Sequence, residues 1–346
     1  MSAIISPPVV RPAAHWVSTD EIVADLERRH PDHPRMGLWV RMLRRTGVVA
    51  RPWVAPLAET LAGGDAGARS RAAWAGALGL AVDAGRTALE RAGLGPADVD
   101  SLVTTHTTSW SVPGLDVALV GALGLRPDVE RIGLATAACA GGAQALALAV
   151  RHVQARPAAR VLVVGAEALS TLYQPGEPTL QRVLYGGLFG DAAGAVVVAG
   201  ADVHPGGPGL AVADVWQLVL PDSGDAYWSV LTEQGIQFDS GPGATSAPGR
   251  VLPYLTEWLG GRAVRWAAVH PGGPGIVART VAGLGLPESA GAHSLASLAG
   301  GNLGGVAVLD VLRRTMDAGI PAGTGMAVGY GPGFTAGALL LEAAGE

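Results

Sequence analysis

The sequence predicts a layered α/β fold made of two pseudo-duplicated halves, and three observations carry that expectation. Cysteine, histidine and asparagine landmarks each follow a β-like apolar run or open a helix-like one, the arrangement in which open α/β sheets assemble sites at strand ends. The order of these landmarks also repeats. Val-Thr-Thr-His106 ends a β-like run and Cys139 opens a helix pattern 33 residues later, while Ala-Ala-Val-His270 ends another and Asn302 opens a helix pattern 32 residues later. Finally, the two helix openings, Cys-Ala-Gly-Gly-Ala-Gln-Ala-Leu and Asn-Leu-Gly-Gly-Val-Ala-Val-Leu, stand in register, with Arg151 and Arg313 near their ends.

The remaining elements follow along the chain. Leu78–Ala92 reads as an amphipathic helix ended by Gly93. Val161–Gly165 and Val264–Val269 read as buried strands, and Pro242–Pro248 as a loop. Glycine-rich strand patterns at 190–198 and 333–341 close the two units. A Pro/Gly-rich linker at Ala201–Gly209 separates them, so residues 1–200 form a half carrying the cysteine, and residues 201–346 a half carrying the histidine and asparagine.

Composition narrows the function classes. Hydrophobic residues at 49% against 15% charged ones favour a well-buried core over disorder. Net charge is −5 and no Lys/Arg block occurs, so a nucleic-acid partner is not expected. The start, Met-Ser-Ala-Ile-Ile-Ser-Pro-Pro, lacks a basic segment followed by an apolar one, so no secretory signal is expected. Apolar stretches fall short of the ~20 residues that span a bilayer, so neither is a membrane. One cysteine cannot form an internal disulfide, and a cytoplasmic enzyme is the expectation. The eight histidines show no zinc-binding spacing, and no metal or bound cofactor is expected.

That cysteine, Cys139, sits in Ala-Thr-Ala-Ala-Cys-Ala-Gly-Gly-Ala-Gln. Its neighbours are small, and a helix N-terminus stabilises a thiolate, so the sequence predicts a nucleophile of lowered pKa; a small buried hydrophobe is the alternative reading. His270 stands in Ala-Ala-Val-His-Pro-Gly-Gly-Pro-Gly-Ile, and Asn302 in Ala-Gly-Gly-Asn-Leu-Gly-Gly. A thiolate can attack a thioester, and an imidazole with an amide N–H₂ can donate to a developing enolate oxygen. Asn302 also reads as a helix N-cap, and the two roles are compatible.

These residues carry a resemblance. Cys139, His270 and Asn302, with His-Pro-Gly-Gly-Pro-Gly-Ile and Gly-Tyr-Gly-Pro-Gly-Phe-Thr near the C-terminus, resemble the motifs of the type III polyketide synthases, the chalcone-synthase-like branch of the thiolase superfamily. The likeness runs from about Arg41 to Thr335. It implies a thiolase-like αβαβα fold, a homodimer, and CoA thioesters as substrates. An acyl-CoA starter would load on Cys139, be extended with malonyl-CoA or a substituted malonyl-CoA, and be cyclised to a pyrone or a phenolic ring. The resemblance places Phe189 and Phe238 as gatekeepers of the CoA tunnel. It puts Thr108, Ser109, Leu169, Leu172, Ser229 and Gly304 on the cavity wall, with Leu172 narrowing it and Gly304 opening it. Arg41 and Arg45 align with residues that hold the CoA phosphates; a solvated helix face is the plain alternative. His106 stands where similar synthases usually have cysteine, and both a cavity-facing and a core role remain open. Two rival functions are a condensing enzyme using carrier-protein substrates and a non-condensing thiolase-fold acyltransferase.

Overall fold

The computed structural model describes residues 2–344, and its frame is one ten-stranded sheet. The strand order is Trp266–Val269, Gly325–Gly331, Thr335–Ala343, Leu210–Val219, Ala3–Ile5, Ala192–Gly200, Arg160–Glu167, Ser101–Thr105 and Glu130–Leu134; Val9–Pro12 also pairs with Ala192–Gly200. The two arms share one signature. Ser101–Thr105 runs parallel to Arg160–Glu167, which is antiparallel to Ala192–Gly200. Likewise Trp266–Val269 runs parallel to Gly325–Gly331, which is antiparallel to Thr335–Ala343. Ala3–Ile5 joins the arms, pairing with Ala192–Gly200 on one side and Leu210–Val219 on the other.

Helices fill the space between and outside the arms. Gly141–Ala155 and Ala307–Asp317 lie in the middle, where Leu146, Val150, Leu309 and Leu312 are packed with strand residues of both arms, among them Val163 and Ala327. Each such side chain withdrawn from water stabilises the fold by about 1.5–3 kcal/mol. Ala66–Arg91 and Leu115–Leu123 cover one outer face, and Ala247–Leu259 and Pro274–Gly283 the other. The result is five layers, α/β/α/β/α. The two middle helices approach closely at Gly142, where a Cβ would lie 2.2 Å from the Gly305 carbonyl oxygen and 2.7 Å from Val308 Cγ1. Only a glycine permits that crossing.

Element boundaries differ from expectation in physically simple ways. The helix expected at 78–92 begins at Ala66, because Asp65 caps it: the Ala68 N–H donates to Asp65 Oδ1 at 2.8 Å. Its end is close to expectation, with Gly93 at φ +64° just beyond. The loop at 242–248 passes into the Ala247–Leu259 helix, with Pro248 in its first turn. Among the described residues no helix is long and apolar enough to cross a membrane, and no cluster of three or more His, Cys, Asp or Glu side chains could hold a metal ion.

Candidate active site

Three chain turns bring the predicted nucleophile and its partners together. Cys139 lies in a short 3-10 turn, Ala138–Ala140, that leads into the Gly141–Ala155 helix. The turn is tight: Ala138 has φ +44°, and its N–H donates to Thr107 Oγ1 at 3.1 Å. A non-glycine residue held there stores on the order of 1–3 kcal/mol, which the surrounding packing offsets. His270 follows directly on the Trp266–Val269 strand, its backbone N–H bonded to the Val328 carbonyl at 2.8 Å. Asn302 is pinned through its backbone: its N–H donates to Leu188 O at 2.9 Å, and its carbonyl accepts from Gly190 N–H at 3.0 Å.

The Asn302 side chain serves two tasks at once. Asn302 is not the N-cap, a place Leu303 takes, but its Oδ1 accepts the Gly304 N–H at 2.9 Å and so anchors the start of the Gly304–Val306 turn that leads into the Ala307–Asp317 helix. That bond needs the amide oxygen, so the N–H₂ must face the other way. It points at Cys139, with Nδ2 3.9 Å from Sγ.

Electrostatics corrects one expectation. The Cys139 thiol is not lowered by its helix: burial pushes it up to about 12, the nearby Glu167 carboxylate adds to the rise, and the Asn302 amide opposes it. The side chain keeps some exposure into the cavity, but it is packed among Leu169, Leu188 and Phe189, and desolvation outweighs the helix end. Burial likewise pushes the His270 imidazole down to about 4, so it is neutral at pH 7. His270 Nδ1 is buried without a hydrogen-bond partner. An unpaired buried N–H costs more than an unpaired lone pair on an under-satisfied acceptor, so the proton belongs on Nε2. A neutral thiol, a neutral N–H donor and an amide donor therefore share the site.

Cys139, His270 and Asn302 line one cavity of about 500 Å³, its mouth included. Six aromatic residues, Phe189, Phe238, Phe334, Tyr185, Tyr227 and Tyr330, make up much of the remaining wall, beside Leu188, Ile276 and Pro332. Phe189 packs between Tyr185 and Phe238, with ring centroids 5.8 and 5.9 Å away.

Comparison with known proteins places this site in a family. A family described as chalcone and stilbene synthases, N-terminal domain, matches residues 57–203. The chain is 30% identical to a 1,3,6,8-tetrahydroxynaphthalene synthase from Streptomyces griseus, over 96% of this chain and 91% of that protein. It is also 30% identical to a phloroglucinol synthase from Pseudomonas fluorescens, over 97% of both. The chain belongs to the type III polyketide synthases. Among solved structures, germicidin synthase from Streptomyces coelicolor, a type III polyketide synthase, superposes with a TM-score of 0.94 at 31% identity, covering 99% of this chain and all of that one. The five layers of this synthase are thus the thiolase-like fold, and the enzyme is a condensing acyltransferase.

The other predicted residues of the synthase are distributed over several cavities. Ser109 and Ser229 line a neighbouring chamber that shares Phe238 and Pro332 with the Cys139 cavity. Ser229 and Phe238 face each other across the Tyr227–Thr232/Gly235–Ser240 hairpin. Thr108 is buried, accepting the Ala168 N–H at 2.9 Å, and faces a separate cavity beside Arg69 and Trp110. Leu172 lines a third space with Tyr185 and Phe238, while Leu169 packs directly around Cys139. Gly304 does not open the wall: it is buried at φ +59°, and a Cβ there would lie 2.9 Å from Leu169 Cδ1 and 3.2 Å from Glu167 Cγ, so those side chains already fill the space. Arg41 and Arg45 are exposed at the end of the Met36–Arg44 helix and are not part of the Cys139 cavity.

Sequence reasoning missed four residues. Tyr185, Tyr227 and Tyr330 are three of only five tyrosines, and that rarity is the signal that could have drawn attention to them. Glu167, at the end of its strand, is fully buried and pushed up to about 8; it accepts the Thr107 N–H at 3.2 Å through Oε2, and Oε1 has no partner. Nothing in the flanking Gly-Ala-Glu-Ala signals that burial.

Proposed function

We propose that Cys139 is the acyl-carrying nucleophile of this synthase, with His270 and Asn302 as its catalytic partners. Sulfur attacks the carbonyl of an acyl-CoA, the bond from that carbonyl to the CoA sulfur breaks, and the Cys139 thiol proton goes to the departing CoA sulfur, leaving the thioester on Cys139. Malonyl-CoA, or a substituted malonyl-CoA, then enters and loses CO₂. The enolate oxygen formed on its thioester accepts hydrogen bonds from His270 Nε2–H and Asn302 Nδ2–H, each worth on the order of 3–4 kcal/mol to the transition state. Its carbon attacks the Cys139 acyl carbonyl, and the chain grows by two carbons. Repetition and ring closure give a pyrone or a phenolic, resorcinol-type product; two relatives carry the names of phenolic ring compounds.

The observation that carries this reading is the division of labour at Asn302, whose oxygen is taken by Gly304 N–H while its N–H₂ is left to the Cys139 cavity. Phe189 and Phe238 gate the passage into that cavity, their contact supporting the role. Arg41 and Arg45 hold the CoA phosphates from the exposed side of their helix. The enzyme works in the cytoplasm as a homodimer, supported by the exposed Trp110 and Val112, 75% and 101% accessible in a single chain. It divides into halves at residue 200, each with its parallel and antiparallel strand signature. Incubating the protein with acyl-CoAs and malonyl-CoA, with product mass spectrometry, tests the reading. Products two carbons longer per CO₂ released are expected; condensation only with carrier-protein thioesters would favour the rival condensing enzyme.

A further inference from the structure

A second chemically competent pair stands on the wall of the neighbouring chamber. His106, placed just past the Ser101–Thr105 strand, is buried, and both of its ring nitrogens are engaged. Nδ1 is 2.7 Å from the Ala166 carbonyl oxygen, and Nε2 is 2.6 Å from Ser109 Oγ. A carbonyl only accepts, so Nδ1 carries the proton. Burial lowers the pKa of this imidazole, which is therefore neutral, leaving Nε2 bare to accept the Ser109 hydroxyl proton. Ser111 Oγ donates in turn to Ser109 Oγ at 3.3 Å. Trp74 meets the imidazole edge-on, centroids 5.9 Å apart, and fixes the ring. The geometry is that of a hydroxyl polarised by a buried base, in a chain of donors running from Ser111 through Ser109 to His106.

The location gives the pair something to act on. Ser109 lines a chamber of about 1130 Å³, its mouth included, together with Thr107, Ser229 and Phe238. Ala138, the residue before the nucleophile, lines it too, and Phe238 and Pro332 are shared with the Cys139 cavity. A chain growing from Cys139 thus has this chamber as its adjoining space. Ser109 reaches the chamber and His106 does not, so only the hydroxyl can touch a substrate. Glu167, the other buried group on this side, does not line it.

We propose that Ser109, polarised and positioned by His106, accepts the proton released when the poly-β-keto chain closes its ring. The inference rests on the condensing reaction proposed above. An enol oxygen or acidic methylene of the chain gives its proton to Ser109 Oγ while the hydroxyl proton of Ser109 moves to His106 Nε2. The freed electron pair forms the ring bond to a carbonyl carbon. Where that carbonyl is the thioester, the C–S bond breaks and the departing thiolate sulfur takes the proton back; where it is a ketone, the new alkoxide oxygen takes it. Ser109 is the catalytic residue here and His106 a positioning residue.

The test compares wild type with Ser109→Ala, Ser109→Thr and His106→Gln, the last keeping a hydrogen-bonding group but no basic nitrogen. With one acyl-CoA and malonyl-CoA, the wild-type ring product is measured per CO₂ released, beside kcat, KM and melting temperature. Loss of a positioned base slows its step by about 100-fold. Ser109→Ala and His106→Gln are therefore expected to lower the ratio about tenfold or more, through kcat rather than KM, with open-chain acids or other rings in its place, and Ser109→Thr to restore it. An unchanged ratio in Ser109→Ala or in a folded His106→Gln overturns the proposal, and so does a Ser109→Thr variant as impaired as Ser109→Ala. If His106→Gln does not fold, the two Ser109 variants decide. Wild-type protein that releases no CO₂ from malonyl-CoA would overturn the condensing reading as well, which separates the two failures.

Discussion

Replacing Asn302 by aspartate separates chemistry from architecture at this site. A carboxylate oxygen can still accept the Gly304 N–H now held at 2.9 Å, so the turn into the central helix survives. The N–H₂ that stands 3.9 Å from Cys139 Sγ becomes a second carboxylate oxygen. Two losses follow. The enolate loses one donor, about 3–4 kcal/mol of transition-state stabilisation, or 100- to 1000-fold in decarboxylation. A negative charge about 4 Å from sulfur also opposes the thiolate by roughly 4 kcal/mol at an effective dielectric of 20, equivalent to about three further units of thiol pKa. Loading of Cys139 therefore falls along with CO₂ release. Asn302→Ala differs: it loses the donor and also the hydrogen bond to Gly304 N–H, costing about 1 kcal/mol in stability. Intact-mass measurement of the acyl-enzyme, CO₂ release from malonyl-CoA and melting temperature are read for both. The aspartate variant should melt near wild type and be nearly inactive in both steps. If it melts as low as the alanine variant yet releases CO₂ within threefold of wild type, Asn302 is an anchor of the turn and nothing more.

Three further outcomes follow from the same geometry. Alkylation of wild-type Cys139 by iodoacetamide should be slow at pH 7: with burial holding the thiol at about 12, only about one molecule in 10⁵ is a thiolate there, so the rate should climb about tenfold per pH unit through the alkaline range. A rate already at its plateau at pH 7 would refute a thiol raised by burial. Phe189→Ala should raise kcat/KM for bulky acyl-CoAs relative to small ones, at about 3–5 kcal/mol in stability for so buried a ring; a uniform drop that preserves starter ranking would make Phe189 core packing. Gly142→Ala should destabilise by about 3 kcal/mol, because its Cβ would stand 2.2 Å from the Gly305 carbonyl and force the central helices apart; an unchanged melting temperature would refute that crossing.

Much of this molecule is legible in its sequence because repetition is. His106 and His270 both follow the strands expected to end there, and Cys139 and Asn302 both stand at turns that open the central helices. The resemblance that marked Phe189 and Phe238 found two of the six aromatic residues on the cavity wall. Local electrostatics misled where tertiary burial decided: a helix end predicts a lowered thiol pKa, but packing by Leu169, Leu188 and Phe189 reverses the sign. Gly304 misled for a related reason. A missing side chain opens a cavity only if its neighbours leave the space, and Leu169 and Glu167 occupy it. His106 was ambiguous because both partners that define it, the Ala166 carbonyl and Ser109, are set by folding: one is 60 residues away, and the other needs the turn after the strand.

The central claim, a covalent Cys139 intermediate extended by decarboxylation, is tested most directly by intact mass spectrometry of the enzyme. Since Cys139 is the only cysteine, an acyl adduct can be assigned to it and checked against Cys139→Ser. Wild-type protein with an acyl-CoA should gain one acyl group, and malonyl-CoA should then consume it, releasing one CO₂ for each two-carbon extension. Extension at the wild-type rate by Cys139→Ser, or product formed with no adduct on Cys139, would contradict the account.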